Sequence, residues 1–349
     1  MYGKADSIAL KSTLTATTRP DGAFLELVRR CGILLIDHPR VVINADRLSS
    51  LVAKVAEQAR IKKAAYQWND PKFWPIETDA STRSQLLTVG NSINFRFWRF
   101  SESREVVSLG GYLKGEYVAG SMYMWRCLRL AYDSGTPITD ASYLAAMDDG
   151  TFNHIFQDDN GANPLQEALP DRIKNLRNLG EVLIHDWDGQ FHNLVTKTSG
   201  SLSNFLHMSR GFRAFDDPIA KLTLVNALMH RGSGLAVFKE PLLPAIDYQL
   251  LKQLLRQHVL TVDSALDAKI RSDVHLDHAE AYELRSAAME ALIGVQSRTG
   301  LSGDIIDNLL WMNRNICKDR QPNCEICPFM SFCDKDVTLR RPLQITRHY

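Results

Sequence analysis

The sequence Cys317-Lys-Asp-Arg-Gln-Pro-Asn-Cys324-Glu-Ile-Cys327-Pro328, followed by Cys333, organises the end of the chain. The four cysteines have the pattern C-x6-C-x2-C-x5-C, so their thiolates can converge on one inorganic centre without a large fold to gather them. Four thiolates bind either a cubane iron–sulfur cluster or a structural zinc ion. Zinc sites usually contain two C-x2-C pairs, whereas this segment has one. The spacing therefore favours a [4Fe–4S] cluster over zinc, and plain thiols or disulfides come after both.

The composition is typical of a globular protein. The chain has 349 residues, of which 45% are hydrophobic and 23% are charged, enough for one large domain or two ordinary ones. Its formal net charge of +1 provides no broad basic field for non-specific duplex binding. Cys31 and Cys127 stand in apolar helical settings, as small core residues do, and this cysteine usage suits a reducing compartment, the cytoplasm.

Neither a secretory signal nor a membrane span is expected. The first twenty residues are polar and have no apolar core, which argues against a signal peptide. The longest apolar run, residues 31–36, is far shorter than the ~20 residues that a membrane helix needs.

Apolar residues recur at helical spacing through most of the chain. Helices are predicted over residues 22–36, 48–56, 79–93, 121–133, 139–147, 170–183, 217–229, 248–255, 264–273, 277–297 and 302–315. A loop or short hairpin is expected over residues 101–120, which contain four glycines, and a surface loop over residues 148–166. Because strand alternation is nearly absent, the fold class is predicted to be all-α. Residues 1–20 are expected to form a flexible tail, residues 21–312 a helical domain, and residues 313–349 the cysteine loop and C-terminal tail.

Two segments allow both a structural and a functional interpretation. Residues 91–100, Asn-Ser-Ile-Asn-Phe-Arg-Phe-Trp-Arg-Phe, place four aromatic side chains within six positions beside Asn94. They could pack in the core, or they could stack on a planar base while Asn94 offers a donor and an acceptor. Asp247 precedes a predicted helix, where an aspartate commonly serves as N-cap.

Six motifs between residues 38 and 312 carry a resemblance to a known family. They are Asn94-Phe95 with Phe97-Trp98, Gly135-Thr-Pro137-Ile-Thr139, Arg172 through Leu183 with Asp188-Gly189-x-Phe191-x-Asn193, Ile246-Asp247-Tyr248, Glu283-Leu-Arg285, and Ile306-Asp307 with Leu310-Trp311. In order and spacing they resemble the queuosine salvage family, the queuosine 5′-phosphate N-glycosylases. The cysteine segment resembles the [4Fe–4S] loop of the endonuclease III and MutY DNA glycosylases. Together these resemblances imply a two-lobed helical fold like that of helix-hairpin-helix DNA glycosylases.

The resemblance implies hydrolysis of an N-glycosidic bond that releases a 7-deazaguanine base from a queuosine-type nucleotide or nucleoside. Cleavage builds positive charge on the sugar, which a carboxylate can stabilise, and Asp247 is the candidate. Aromatic rings and hydrogen bonds hold an extruded base. The candidate substrate-binding residues are Asn94, Phe95, Trp98, Lys221 and Tyr248. Lys221 and Arg213 are the candidates for a nucleotide phosphate.

The chain departs from the family in two respects. A four-cysteine tail is not associated with the characterised salvage enzymes, which indicates a cluster-bearing branch. Met122, Met124 and Trp125 stand where the family tends to place other residues near the pocket. Both departures bear on which base is released.

An alternative is an iron–sulfur DNA-repair glycosylase that excises a damaged base from duplex DNA. Duplex-binding members carry an L-P-G-x-G type of turn that holds a phosphate, whereas Arg231-Gly-Ser-Gly-Leu-Ala-Val-Phe lacks that pattern. Residues 313–349 contain seven Lys or Arg and four Asp or Glu, which leaves room for a nucleic-acid contact without requiring one. A third interpretation is a non-enzymatic cluster protein for redox sensing or scaffolding. Because the chain lacks the duplex-binding turn and has a net charge of only +1, a small nucleotide or nucleoside is the expected partner, and nucleic acid is the less favoured one.

Overall fold

The structure is a computed structural model that describes residues 21–62 and 68–348. The tail predicted for residues 1–20 lies outside these residues. The described part contains fourteen α-helices: α1 Gly22–Arg30, α2 Ala45–Lys62, α3 Ala80–Ser92, α4 Ser121–Asp133, α5 Ala141–Ala145, α6 Asp149–Phe156, α7 Leu169–Asp186, α8 Phe191–Lys197, α9 Leu202–Ser209, α10 Lys221–Gly232, α11 Tyr248–Arg256, α12 Ser264–Arg271, α13 His278–Thr299 and α14 Gly303–Asn313. The protein is mostly helical, as the sequence predicts.

Six short strands accompany the helices in the described residues. They are β1 Val41–Ile43, β2 Trp98–Phe100, β3 Val106–Ser108, β4 Gly110–Leu113, β5 Glu116–Ala119 and β6 Leu260–Val262. They form three antiparallel two-stranded ribbons, β1 with β6, β2 with β3, and β4 with β5. The β4–β5 ribbon is the short hairpin expected within residues 101–120.

Several helix boundaries differ from the predicted ones. The surface loop expected over residues 148–166 is wrong in part, because α6 occupies its first half with Asp148 as N-cap. Asp148 accepts a hydrogen bond from the Thr151 N–H, so the acidic residue that suggested a loop begins a helix instead. The first helix ends at Arg30 rather than residue 36, since Gly32 adopts a positive φ of 65°.

Helix α13 lies at the centre of the core. Its side chains are buried on every side because α2, α11 and α14 pack around it. Arg285 on this helix donates two hydrogen bonds to Asp217, at 2.9 and 2.6 Å, in a fully buried ion pair. This pair connects α13 to the turn before α10.

The segment that leads into α11 is held against α14 by close backbone contact. A Cβ atom at Gly303 would overlap the carbonyl group of Leu242, so only glycine lets α14 begin there. Asp307 on α14 accepts a hydrogen bond from the Ala245 N–H at 2.9 Å. These contacts fix the backbone just before Asp247. No helix among the described residues is long and apolar enough to cross a membrane.

Candidate active site

A cavity of about 520 Å³ opens between α4, α10, α11 and α14. Its floor contains two carboxyl groups and an ammonium group, Asp247, Asp307 and Lys221. Aromatic side chains form its walls, and a further set of charged side chains lies where the cysteine segment meets the cavity. The cavity is large enough to enclose a nucleotide-sized ligand.

Asp247 both caps a helix and lines the cavity. Its Oδ1 accepts hydrogen bonds from the N–H groups of Gln249 and Leu250, at 2.8 and 2.9 Å, at the N-terminus of α11. The side chain is 8% exposed and reaches the cavity. The two hydrogen bonds fix one carboxyl oxygen at the N-terminus of α11. The structural and functional interpretations of Asp247 are therefore compatible.

Asp307 is the second carboxyl group of the floor, and it was not among the predicted site residues. Its pKa is raised by burial to about 8, opposed by the Ala245 hydrogen bond and supported by the negative charge of Asp247. At neutral pH this group is mainly a protonated acid beside a carboxylate. The Ile306-Asp307 motif was the available signal, but a lone aspartate inside a helix does not by itself indicate a site.

Lys221 lies at the first position of α10, and its Nζ donates to the main-chain oxygen of Asn94 at 3.1 Å. Burial lowers the pKa of Lys221, and the nearby charges of Asp247 and Asp307 act against this. The Asn94 side chain donates to the Asn91 Oδ1 at 3.1 Å. Lys221 and Asn94 thus meet at the cavity, and Lys221 interacts there with the carboxyl groups of Asp247 and Asp307.

The aromatic candidates separate into two groups. Phe95 and Tyr248 line the cavity, and burial raises the pKa of the Tyr248 hydroxyl to about 12. The prediction for Trp98 is corrected, because this side chain is 1% exposed and packs on Phe100 and His275, outside the cavity. Trp98 stands in β2, whose alternation turns its ring to the core.

Three tryptophans that were not predicted as binding residues line the cavity. Trp68 and Trp311 lie with their ring centroids 5.7 Å apart, and Trp125 projects from α4. They come from three distant parts of the sequence, so no local pattern groups them. Met122 also lines the cavity, whereas Met124 is fully buried elsewhere in the core.

Arg172 holds the turn that carries Phe95. It is fully buried and donates to the main-chain oxygens of Phe95 at 2.6 Å and Arg96 at 3.3 Å. Its guanidinium also lies 4.7 Å from the centroid of the Phe95 ring. Burial, together with the charge of Arg96, lowers the pKa of Arg172 to about 9. The residue therefore positions this wall of the cavity.

The predicted role of Arg213 in binding a phosphate is corrected. Its guanidinium bonds to Asn175 and pairs with Asp171 at 2.6 Å, away from the cavity. These partners lie on α7, and they satisfy the charge within the fold. Arg213 is thus a structural residue that connects the segment before α10 to α7.

The four cysteines of the C-terminal segment are free thiols that line a single small cavity. Arg256 donates to the Cys317 Sγ at 3.3 Å, and Asn313 donates to the Cys327 Sγ at 3.6 Å. Burial raises the pKa values of the Cys327 and Cys333 thiols. Within residues 21–62 and 68–348, no three His, Cys, Asp or Glu side chains are already arranged as ligands of one metal ion.

Comparison with known proteins identifies one family model and several curated relatives. Residues 75–223 match the family model described as Queuosine salvage protein. This segment is similar to the queuosine salvage family. It includes Asn94, Phe95 and Lys221 but ends before Asp247, Asp307 and the cysteines.

Curated relatives carry the name queuosine 5′-phosphate N-glycosylase/hydrolase. The protein from Bos taurus is 33% identical over 134 residues, which are 38% of this chain and 38% of that protein. The protein from Mus musculus is 29% identical over 176 residues, 50% of this chain and 48% of that protein. The protein from Sphaerobacter thermophilus is 29% identical over 176 residues, 49% of this chain and 50% of that protein. The chain therefore spans about half the length, or less, of these relatives.

Proposed function

We propose that this protein is an N-glycosylase that hydrolyses the N-glycosidic bond of a queuosine-type nucleotide and releases its 7-deazaguanine base. The observation that carries the proposal is that Asp247 and Asp307 line the same aromatic-walled cavity and that the charge of Asp247 acts on Asp307. The similarity to named queuosine 5′-phosphate N-glycosylases supports the same reaction. The free nucleotide, rather than a nucleoside or a residue in nucleic acid, is the proposed form of the substrate.

In the proposed reaction the bond between C1′ of the sugar and the ring nitrogen of the base breaks, and the base leaves with the bonding electrons. The Asp247 carboxylate stabilises the positive charge that develops on the sugar and accepts a proton from the attacking water. The water oxygen forms the new bond to C1′. Asp307 donates its proton to the departing base. After product release, the proton that Asp247 took from water passes to Asp307, so that Asp247 is again a carboxylate and Asp307 again an acid. The products are the free base and the sugar phosphate.

The base would lie against the aromatic walls, since planar heterocycles stack on such surfaces. Phe95, Trp125 and Trp68 line the cavity and are available for this contact. The Asn94 main-chain oxygen accepts from Lys221, so this lysine both fixes the aromatic turn and places a cation near the carboxyl pair. Tyr248 lies directly beside Asp247 in sequence and lines the same cavity.

The test is to incubate the protein with queuosine 5′-phosphate, queuosine and a lesion-containing DNA duplex, and to measure the free base. We expect release from the nucleotide, and a loss of at least about a hundredfold in Asp247→Asn. The variant keeps the helix cap, because asparagine caps helices as well as aspartate does, so it should fold normally. Release of base from the duplex alone would instead support the DNA-repair alternative. No release from any substrate would refute the proposal.

We also propose that Cys317, Cys324, Cys327 and Cys333 hold a [4Fe–4S] cluster. The donor set fits, because the four thiols are free and line one cavity, and because Arg256 and Asn313 donate N–H groups to the Sγ atoms of Cys317 and Cys327. A buried cation such as Arg256 offsets part of the negative charge of a thiolate-bound centre. The cluster would supply a structural link, since binding requires all four cysteines to close on one point. A reducing compartment, the cytoplasm, suits such ligands.

Purified protein tests the cluster directly. We expect a brown preparation with broad absorbance near ~400 nm, as thiolate-bound iron gives, together with iron and acid-labile sulfide. A colourless preparation that contains zinc would contradict the proposal. The proposed relation to the two-lobed helix-hairpin-helix glycosylases, over residues 21–312, rests on the helical fold and the spacing of the cysteines.

A further inference from the structure

The cysteine segment also forms one end of the substrate cavity. Lys318 and Asp319, which directly follow Cys317, line the cavity, as do Arg314 and Arg341. None of these four residues lies in the part of the chain that matches the family model. The segment with the cysteines therefore supplies a wall that the sequence comparison does not assign to any role.

This end of the cavity has an excess of positive charge. Asp319 is its one carboxylate, and the Arg341 guanidinium donates to it from Nε at 2.7 Å. Buried Lys252 lies 3.2 Å from the same carboxylate. The lining of this end thus contains four cationic side chains, Lys252, Arg314, Lys318 and Arg341, and one carboxylate, so its net charge is positive.

Arg314 and Lys318 both line the cavity, where a ligand could reach them. Arg314 lies over the Trp311 ring, with its guanidinium carbon 3.3 Å from the centroid, and donates to the main-chain oxygen of Trp311 at 2.9 Å. These contacts hold the guanidinium plane at the wall. The Lys318 side chain is exposed and forms no ion pair within the part of the chain that the structure describes.

The position of this cationic end relative to Asp247 indicates which group of the ligand it would bind. Arg341 lies 5.4 Å from the centroid of the Tyr248 ring, and Tyr248 follows Asp247 directly. A substrate with its anomeric carbon at Asp247 must keep an anionic group away from the carboxyl pair. The cationic end, which includes Arg341, would stabilise that group, because phosphate forms strong hydrogen bonds with guanidinium and ammonium groups.

We propose that Lys318 and Arg314, held at the cavity by the cysteine segment, bind the phosphate group of the substrate and set the preference for a nucleotide over a nucleoside. This inference rests on the proposed function for the identity of the substrate. The binding of phosphate itself does not depend on the reaction, so the two can be tested separately.

The experiment compares full-length wild type with Lys318→Met, which keeps the aliphatic stem and removes the charge. Binding of inorganic phosphate and of ribose 5-phosphate is measured by calorimetry, and kcat/KM is measured for queuosine 5′-phosphate and for queuosine. Arg320→Met is the matched control, because it removes a positive charge two residues away in the same segment but outside the cavity. Arg320 pairs with Glu105 on the surface, so its loss should have little effect on stability.

We expect Lys318→Met to weaken phosphate binding about tenfold and to lower kcat/KM for the nucleotide by a similar factor, as loss of one charge-assisted contact predicts. The value for the nucleoside should change by less than about twofold, and the control should behave as wild type. Equal losses for nucleotide and nucleoside, or unchanged phosphate binding, would overturn the inference. If neither substrate releases a base, the proposed function fails, and the calorimetry still decides whether this end binds phosphate.

Discussion

Replacing Asp307 with asparagine should make the protein more stable and less active, with a characteristic dependence on pH. The pKa of Asp307 is raised by burial from 3.8 to about 8. An unfolded aspartate is ionised above about pH 4. Between these two values, the folded protein holds a proton that the unfolded chain has released. Its stability therefore falls as the pH rises through this range and becomes constant above about pH 8.

The size of the effect follows from the same pKa. A tenfold change in proton affinity corresponds to about 1.4 kcal/mol. The raised pKa of Asp307 therefore lowers the free energy of unfolding by up to about 2 kcal/mol at pH 5 and up to about 6 kcal/mol at pH 9. Relaxation and water entry reduce such penalties, and roughly half is a realistic expectation. Asparagine is neutral and can still accept the Ala245 N–H. The free energy of unfolding of Asp307→Asn, relative to that of wild type, should thus increase by about 2 kcal/mol between pH 5 and pH 9.

Urea unfolding followed by tryptophan fluorescence measures this difference at each pH. Asp149→Asn is a suitable control, because Asp149 is exposed in the first turn of α6 and its loss removes the same charge. If the difference in the free energy of unfolding between Asp307→Asn and wild type is the same at both pH values, the assignment of a protonated Asp307 is wrong.

Base release by wild type should fall as the pH rises through about 8, and Asp307→Asn should be about a hundredfold slower at neutral pH.

Two further substitutions test how the fold supports the cavity. Gly90→Ala should weaken substrate binding and destabilise the protein by about 2 kcal/mol, because the added Cβ would overlap the Trp125 ring and displace this wall; KM and urea unfolding measure the two effects. An unchanged KM would show that Trp125 does not contact the substrate. Arg285→Met should lower the free energy of unfolding by about 3–5 kcal/mol, because Asp217 stays buried without its guanidinium partner. A loss below about 1 kcal/mol in urea unfolding would contradict this account of the pair.

Much of the fold could be predicted from local sequence. Helical periodicity located α4, α7, α13 and α14 within a few residues, because amphipathic patterns are properties of consecutive residues. The start of α3 was also predicted from local sequence, since the predicted helix begins at Asp79, which is the N-cap in the structure. The helix α6 was missed, because Asp, Asn and Gly favour both loops and helix N-termini.

The candidate site was predicted only in part. Of the predicted residues, Asp247, Phe95 and Lys221 line the cavity, whereas Trp98 is buried outside it. Sequence pattern identifies an aromatic cluster, but the direction in which each ring points depends on the strand that carries it. Trp98 lies in β2 and turns to the core, and its neighbour Phe95 lies in the turn before it and reaches the cavity.

The sequence by itself determined a mostly helical chain, a capped helix beginning after Asp247 and four closely spaced cysteines, since each of these depends on neighbouring residues. Only the tertiary structure brought Asp307, Lys318 and Arg341 into the same cavity as Asp247. The pKa of Asp307 depends on burial and on a charge sixty residues away in the chain. Desolvation and Coulomb energy act through space, so no local pattern of residues encodes them.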